Sequence, residues 1–463
     1  MKTETDFTHG PIVGPLLRFS LPILLALFLQ ALYGAVDLLV VGKYATAADL
    51  SGVAVGSQIM MTITQLISSF AMGTTILLGQ KLGEGDRASG GRIIGTSIVL
   101  FFAVGVALTA LIPLLSGALA WAMNAPAEAF AETKRYIAIC GGGGSVMIVA
   151  YNVLGSVMRG MGDSRTPLIT VAIASVCNIT GDLLLIKGLG MGAAGAAIAT
   201  VASQTVSVLV SFLLLRRRTL PFELTRRELR LDGGIARRIT TFGAPISLQS
   251  LLVGLSFLVI LAITNRLGLI ASAGVGVAEK VCAFIMLVPE AFMQSMSAYV
   301  AQNTGARQPE RALRGLRIAI GLSTAFGVVM FYTAFFHGDL LCAIFARDED
   351  VIQAGFDYLR AYAIDCLFTC FLFCFIGFFN GLGRTAFVMA QGIGTAFLIR
   401  IPVAYLMSVK TGRLFYIGLS VPCSTVAQIT VCFLFLSHVK RHGLMAEDGR
   451  RHLSAKWLFR HSN

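Results

Sequence analysis

Asp37 lies in the apolar stretch 19–42 and Asp182 in the stretch 166–186, with Asn178 one helical turn before Asp182. A carboxylate inside a membrane-spanning helix costs about 2.5–3.5 kcal/mol on insertion scales, so it usually faces protein or water and marks an ion path. Asn178 and Asp182 are four residues apart and share a helix face, where they can ligate or hydrogen-bond together. Two carboxylates near each other in a low dielectric favour one shared proton or cation. The plainer alternative is a packing hydrogen bond or an end residue that snorkels to the interface.

A second set of ionisable residues lies in the C-terminal half. Glu279, Lys280 and Glu290 fall in the stretch 277–303, Asp365 in 353–380 and Arg400 in 385–409. Glu279 and Lys280 read either as cavity residues or as caps at the start of their span. Arg400 follows fifteen uncharged residues and needs a counter-charge, which Asp365 or Glu290 could supply. Glu290 follows Pro289, a spacing that places it beside a bend. Together these five form a possible C-lobe cavity. Cys366, Cys370 and Cys374 make one helical stripe, but neither a CxxC nor a nearby His completes a metal site, so they read as packing residues.

Other chemistries lack their residues. All six histidines sit at span ends or in tails, and neither HExxH, GxSxG nor GxxxxGK[ST] occurs, which argues against an enzyme and against a nucleotide-driven pump. Gly190–Gly195 matches GxGxxG, yet an uncharged span follows it where a dinucleotide fold needs a strand before and an acidic residue after. Its glycines and alanines, and the run Gly141–Gly144, instead allow close helix packing. No cofactor is implied.

The elements that must hold these residues follow from composition. Hydrophobic residues make up 56% of 463 and charged residues 13%, about half the roughly 25% charged share of a soluble domain. With a mean hydropathy of +0.78, the solvent for this surface must be lipid. Seven charge-free stretches reach spanning length (50–80, 93–127, 136–158, 188–215, 239–265, 318–338 and 414–439), and the five that carry the ionisable residues bring the total to twelve. The expected fold is therefore an all-α polytopic membrane protein. The excess positive charge lies between apolar blocks, which points to the bilayer surface and not to nucleic acid: the N-terminus, the even-to-odd loops and the C-terminus hold 26 Lys and Arg against nine on the other side. Both termini are thus expected in the cytoplasm. The opening MKTETDFTHG reads as no cleaved signal.

The sequence also repeats. FSLP at Phe19–Pro22 answers FGAP at Phe242–Pro245, GQKLGEGDRA at Gly79–Ala88 answers AQNTGARQPE at Ala301–Glu310, and RGMGDSRTP at Arg159–Pro167 answers NGLGRTA at Asn380–Ala386, at offsets of 223 to 219. Six spans per unit give both halves the same sense in the membrane, so a pseudo-twofold axis along the membrane normal should relate two lobes. The expected organisation is an N-terminal lobe over 1–215, an Arg-rich cytoplasmic linker over 216–238, a C-terminal lobe over 239–440 and a basic cytoplasmic tail over 441–463.

An ordered set of segments resembles the multidrug and toxic compound extrusion (MATE) family: LYGAVDLLVVG at Leu32–Gly42, GQKLGEGD at Gly79–Asp86, RGMGDSRTPL at Arg159–Leu168, NITGDLLLI at Asn178–Ile186, GMGAAGAAIAT at Gly190–Thr200, FGAPISL at Phe242–Leu248 and AQNTGA at Ala301–Ala306. The resemblance implies a monomeric antiporter of the inner cell membrane that exports amphipathic, often cationic, compounds by alternating access against protons or sodium. It places a cation site on Asp37, Asp182 and Asn178 and a bending proline on Pro22. The seventh-span glutamate of some sodium-coupled members has no counterpart between Arg238 and Glu279. A lipid-linked precursor flippase of the same superfamily is the alternative, but a pyrophosphate headgroup would call for several arginines in the N-lobe cavity. The N-lobe arginines fall at expected loops.

In a background without reactive cysteines, Arg226→Cys and Lys187→Cys are expected to label from opposite sides of the membrane. Labelling from one side would contradict the charge-bias orientation.

Overall fold

The computed structural model describes residues 5–216 and 228–441, and all regular structure within them is helical. Most of the expected linker and tail, 217–227 and 442–463, lies outside the described residues. Twelve helices are long and apolar enough to cross a membrane. They are α1 Val13–Tyr44, α2 Ala47–Gly83, α3 Ala88–Ala122, α4 Ala127–Gly160, α5 Arg165–Gly188, α6 Gly192–Leu215, α7 Gly233–Asn265, α8 Leu269–Gly305, α9 Pro309–Phe336, α10 Glu349–Gly381, α11 Thr385–Thr411 and α12 Leu414–Arg441. All twelve expected spans are present, with shifted ends. The third stops at Ala122 because Asn124 takes a φ of 50° and Pro126 follows. The seventh starts inside the expected linker, where Asp232 Oδ1 accepts the Gly234 and Ile235 N–H groups at 2.8 and 3.0 Å and caps the helix.

Two motif aspartates also cap helices. Asp86 accepts the Ser89 hydroxyl at 2.6 Å and the Ser89 N–H at 3.1 Å, and these bonds, the hydroxyl's first, hold its carboxyl below the usual carboxylate range. Asp163 caps α5, accepting the Thr166 N–H and hydroxyl at 3.1 and 2.6 Å. The α8 helix breaks at Met286 because Pro289 has no N–H for the Ile285 carbonyl four residues before it. Since α8 begins at Leu269, Glu279 and Lys280 lie well inside it and do not cap its start.

The lobes exchange the first halves of their first helices. Leu16, Phe19 and Ile23 of α1 are buried with Val288, Phe292 and Tyr299 of α8, whereas Val40 and Val41 join the N-lobe core. In mirror fashion Ile239 of α7 lies in the N-lobe core, and Ile260 and Ile263 lie in the C-lobe core. Pro22 and Pro245 stand near the points where each helix passes from one lobe to the other.

Where the lobes meet, the repeated motifs act on each other. Gln302 Nε2 donates to the Gly160 carbonyl at 3.3 Å, and Gln80 Nε2 donates to the Gly381 carbonyl at 3.1 Å, so each lobe's glutamine grips the last turn of the other's fourth helix. Three residues after each glutamine stands a glycine, and a Cβ on Gly83 would collide with the Gln302 carbonyl just as one on Gly305 would collide with that of Gln80. The two backbones touch across the pseudo-twofold axis because neither residue has a side chain. In the turns that follow, Gly85 has a φ of 75° and its counterpart Arg307 one of 55°, a left-handed conformation that only the first occupies without strain. Phe7 adds a strap: it is buried against Phe19 and Tyr299, with ring centroids 5.1 and 5.4 Å away, while Arg311 donates to the Phe7, His9 and Gly10 carbonyls at 2.8–2.9 Å. Thr5 N–H reaches the Gly162 carbonyl of the opposite lobe at 3.0 Å. Among the described residues, the interlobe hydrogen bonds all lie between mid-bundle (Ser69 to Ser250, 3.0 Å) and this end.

Gly83→Ala and Gly305→Ala should each lower the thermal stability of the purified protein in detergent by about 1–3 kcal/mol, the usual range for overpacking a close contact. An unchanged melting temperature in both would show that the backbones separate freely.

Candidate functional site

The α1 and α5 helices pack side by side, and their contact brings the three N-lobe residues together. Asp37 is 5% exposed, and Asn178 and Asp182 are fully buried. The Asp37 carboxyl faces both the Asp182 carboxyl and the Asn178 amide. Asp37 Oδ1, both carboxylate oxygens of Asp182 and both amide atoms of Asn178 are buried without a hydrogen-bond partner. Two ionised carboxylates only accept, so they cannot bond to one another; a proton or a small cation between them satisfies both. Among the described residues no Lys, Arg or His lies within 4 Å of either carboxylate. Immediately after Asp182 the helix widens into a π-helical turn, Leu183–Gly188, an irregularity common at functional sites.

Several polar residues that the sequence did not single out surround this cluster. Tyr33 sits one turn before Asp37, and Tyr136 and Cys140 of α4 lie within its electrostatic reach. Tyr33 also lines a small void with Gln30, Tyr151, Ser203, Gln204 and Ser207, and Gln30 Nε2 donates to the Tyr151 hydroxyl at 2.8 Å. The void measures about 20 Å³, room for a water molecule and little more. The signal in the sequence was a set of Gln, Ser and Tyr residues at helical spacing, which looks like ordinary polar packing within a span.

The C-lobe residues divide. Arg400 ends a π-helical turn, Ala396–Arg400, which at the repeat offset of 219 matches 177–181, just before Asp182, and not the turn after it. Its Nη1 donates to Ser256 Oγ at 3.0 Å and its guanidinium lies 4.4 Å from the Phe257 ring centroid. The carboxylate that acts on it is Asp365, itself 2% exposed and bonded by the Thr369 hydroxyl at 2.7 Å. Glu290 is therefore not its counter-charge. It accepts from Gln294 Nε2 at 3.0 Å and feels Arg159, which turns inward at the end of α4 instead of lying in a loop. Lys280 is exposed and, unlike its neighbour Glu279, does not line the cavity. The cysteine stripe packs: Cys370 Sγ fills the space beside Gly327, and all three thiols are buried. Gly141 likewise admits Ile112 at a distance no Cβ would allow.

The MatE family model matches residues 22–184 and again 245–406. The chain belongs to the MatE family. Its two MatE matches begin 223 residues apart, the offset of the FSLP and FGAP segments, so the repeat and the family match report the same duplication. The chain is 27% identical over 438 residues to the probable multidrug resistance protein YpnP of Bacillus subtilis, covering 93% of this chain and 96% of that protein. It is 25% identical to the probable multidrug resistance protein NorM of Thermotoga maritima, with 85% of each covered. A solved structure titled as the outward-facing conformation of a multidrug resistance MATE family transporter of the MOP superfamily superposes with a TM-score of 0.88 at 20% identity, covering 95% of this chain and 99% of that one. The twelve-helix, two-lobed architecture is thus the MatE fold.

Proposed function

We propose that this protein is a secondary active antiporter of the cell (inner) membrane that exports organic, cationic, amphipathic compounds in exchange for protons, with Asp37 and Asp182 as the coupling pair and Asn178 as their neighbour. The observation that carries the reading is a pair of buried carboxylates facing each other without a basic partner among the described residues. The names of the relatives YpnP and NorM, both probable multidrug resistance proteins, support export of drugs. The 26-to-9 bias in loop Lys and Arg supports cytoplasmic termini and a cytoplasmic 216–238 linker. The clasped end of the bundle is then the cytoplasmic gate, shut, and the protein rests facing outward.

The cycle follows from charge. With both carboxylates ionised, repulsion and the cost of burying charge keep α1 and α5 apart. A proton entering from outside removes both costs and lets the helices draw together. Asp37 stands fifteen residues beyond Pro22, about 22 Å along the helix axis. Pro22 leaves the Arg18 carbonyl without its helical donor, so the helix bends there more cheaply than elsewhere. The half before Pro22 belongs to the C-lobe, so a bend moves one lobe's helix against the other lobe, shrinks the cavity and releases the drug outward. Proton loss to the cytoplasm resets the site. Sodium fits the same oxygens, with Asn178 Oδ1 as a third, and is the alternative ion for this site. The chain works as a monomer in this scheme, since each lobe completes the other.

A lipid-linked flippase fits less well. The N-lobe arginine that turns inward, Arg159, is held by Ser156 Oγ at 2.9 Å, and the buried N-lobe charges are acidic.

In a strain without its own efflux pumps, the wild type should raise resistance to ethidium, and Asp37→Asn and Asp182→Asn should each abolish that gain at unchanged membrane abundance. Full dye efflux in both variants contradicts the site. Rescue of a flippase-deficient strain without dye efflux contradicts the substrate class, and uptake driven by sodium at zero pH gradient contradicts the proton.

A further inference from the structure

One cavity in each lobe differs from the other in size and character. In the N-lobe the void beside Tyr33 measures about 20 Å³ and is walled largely by Gln, Ser and Tyr. In the C-lobe a cavity of about 250 Å³ is lined by Phe257, Glu279, Cys282, Met286, Tyr358 and Tyr362. The first holds water-sized species only; the second approaches the roughly 300 Å³ at the lower end of small-molecule sites. We infer that the C-lobe cavity is the seat of the transported organic cation, with Glu279 as its charge contact and Phe257, Tyr358 and Tyr362 as its aromatic walls, while the N-lobe holds only the coupling ion. This assignment rests on the antiport reading above and adds a division of labour between the lobes.

The chemistry of the lining supports a cation. An ammonium or delocalised cation gains from a carboxylate and from aromatic faces together, and Met286 supplies an adaptable, polarisable edge. The one buried base nearby does not compete. Arg400 donates to Ser256 Oγ, stacks over the Phe257 ring that helps to wall the cavity, and lies within the electrostatic reach of Asp365, Tyr362 and Tyr358 without itself lining the cavity. Asp365 balances Arg400, so Glu279 is the charge left over. Among the described residues no Lys, Arg or His lies within 4 Å of Glu279, and its neighbour Lys280 faces outward. The Arg400 and Asp365 pair thus shapes a wall and leaves the cavity acidic.

The repeat shows how the lobes diverged. Tyr136 and Cys140 beside Asp37 correspond, at an offset of 222, to Tyr358 and Tyr362 in the C-lobe cavity. Asp37 corresponds to Ile260 and the Asp182 region to Arg400 and Ile401. One lobe kept facing carboxylates in a tight polar cleft. The other has apolar or basic residues there, two tyrosines, and its free carboxylate on α8 at Glu279, a position that is Gly56 or Ser57 in the first repeat.

The test is equilibrium binding of ethidium to the purified wild-type protein and variants in detergent, with no gradient, read by fluorescence. Glu279→Gln should weaken binding about tenfold or more, the loss of one charge contact to a cation in an aromatic site, and Glu279→Asp should recover part of it. Because proton and drug are linked, Asp37→Asn has its own affinity, but within that background Glu279→Gln should weaken binding by the same factor as in the wild type, as expected of separate sites. Should Glu279→Gln destabilise the fold, Phe257→Leu provides a second probe of the same wall, with weaker ethidium binding expected. Wild-type affinity in both Glu279→Gln and Phe257→Leu overturns the assignment and leaves the efflux reading standing. So does a Glu279→Gln loss that disappears in the Asp37→Asn background, which would put the drug in contact with the N-lobe pair.

Discussion

A carboxylate deep in a bilayer protein must be satisfied by a base, a cation or a proton, and among the described residues no base lies within 4 Å of the two N-lobe carboxylates. Asp37 and Asp182 face each other, flanked by the Asn178 amide, with five buried polar atoms unpartnered between the three side chains. Coulomb repulsion between two such charges grows steeply as the dielectric falls. Everything else in the lobe accommodates that tension: the π-helical turn after Asp182, the ring of tyrosines and glutamines, and the water-sized void that connects to them. The C-lobe differs at this position: Arg400 ends its own π-helical turn one residue before the counterpart of Asp182 and lies within the electrostatic reach of Asp365. One repeat holds an unbalanced pair, the other a balanced one.

The coupling of this site to the rest of the molecule runs through the exchanged helices. Because α1 is gripped by the C-lobe before Pro22 and by the N-lobe around Asp37, a change in how Asp37 packs must be felt at the lobe boundary. The boundary itself is built from the most repeated motifs of the sequence, the glutamine and glycine pairs Gln80 with Gly83 and Gln302 with Gly305. Those contacts are two neutral hydrogen bonds and a close backbone approach, each worth on the order of 1 kcal/mol. Contacts of that strength are exchanged at low cost, whereas breaking a buried ion pair costs about 3–5 kcal/mol.

Much of this was legible in the sequence, for physical reasons that differ by element. The spans were visible because lipid demands about twenty apolar residues in a row, and the lobes because a duplicated motif survives at constant offset. Asp37, Asn178 and Asp182 were visible because a charge in a span is costly. What escaped were features that depend on direction. A one-dimensional pattern does not say which side of α8 Lys280 occupies, nor that Glu290 faces Arg159 across the lobes instead of Arg400. Tyr33, Tyr136 and Gln30 were missed because uncharged polar residues are affordable in a span and carry no signal of their own. The glutamine clasp was seen as a repeat but not as a contact, since spacing cannot show that two copies of a motif touch.

The central claim is that the carboxylate pair holds the proton that drug entry expels. It is tested most directly by titrating ethidium into the purified protein in weakly buffered solution and reading released protons with a pH indicator. The account predicts about one proton released per ethidium bound by the wild type, the stoichiometry of one shared site, and none from the Asp37→Asn, Asp182→Asn double variant. Proton release of equal size from that double variant, or binding by the wild type without any release, would contradict it.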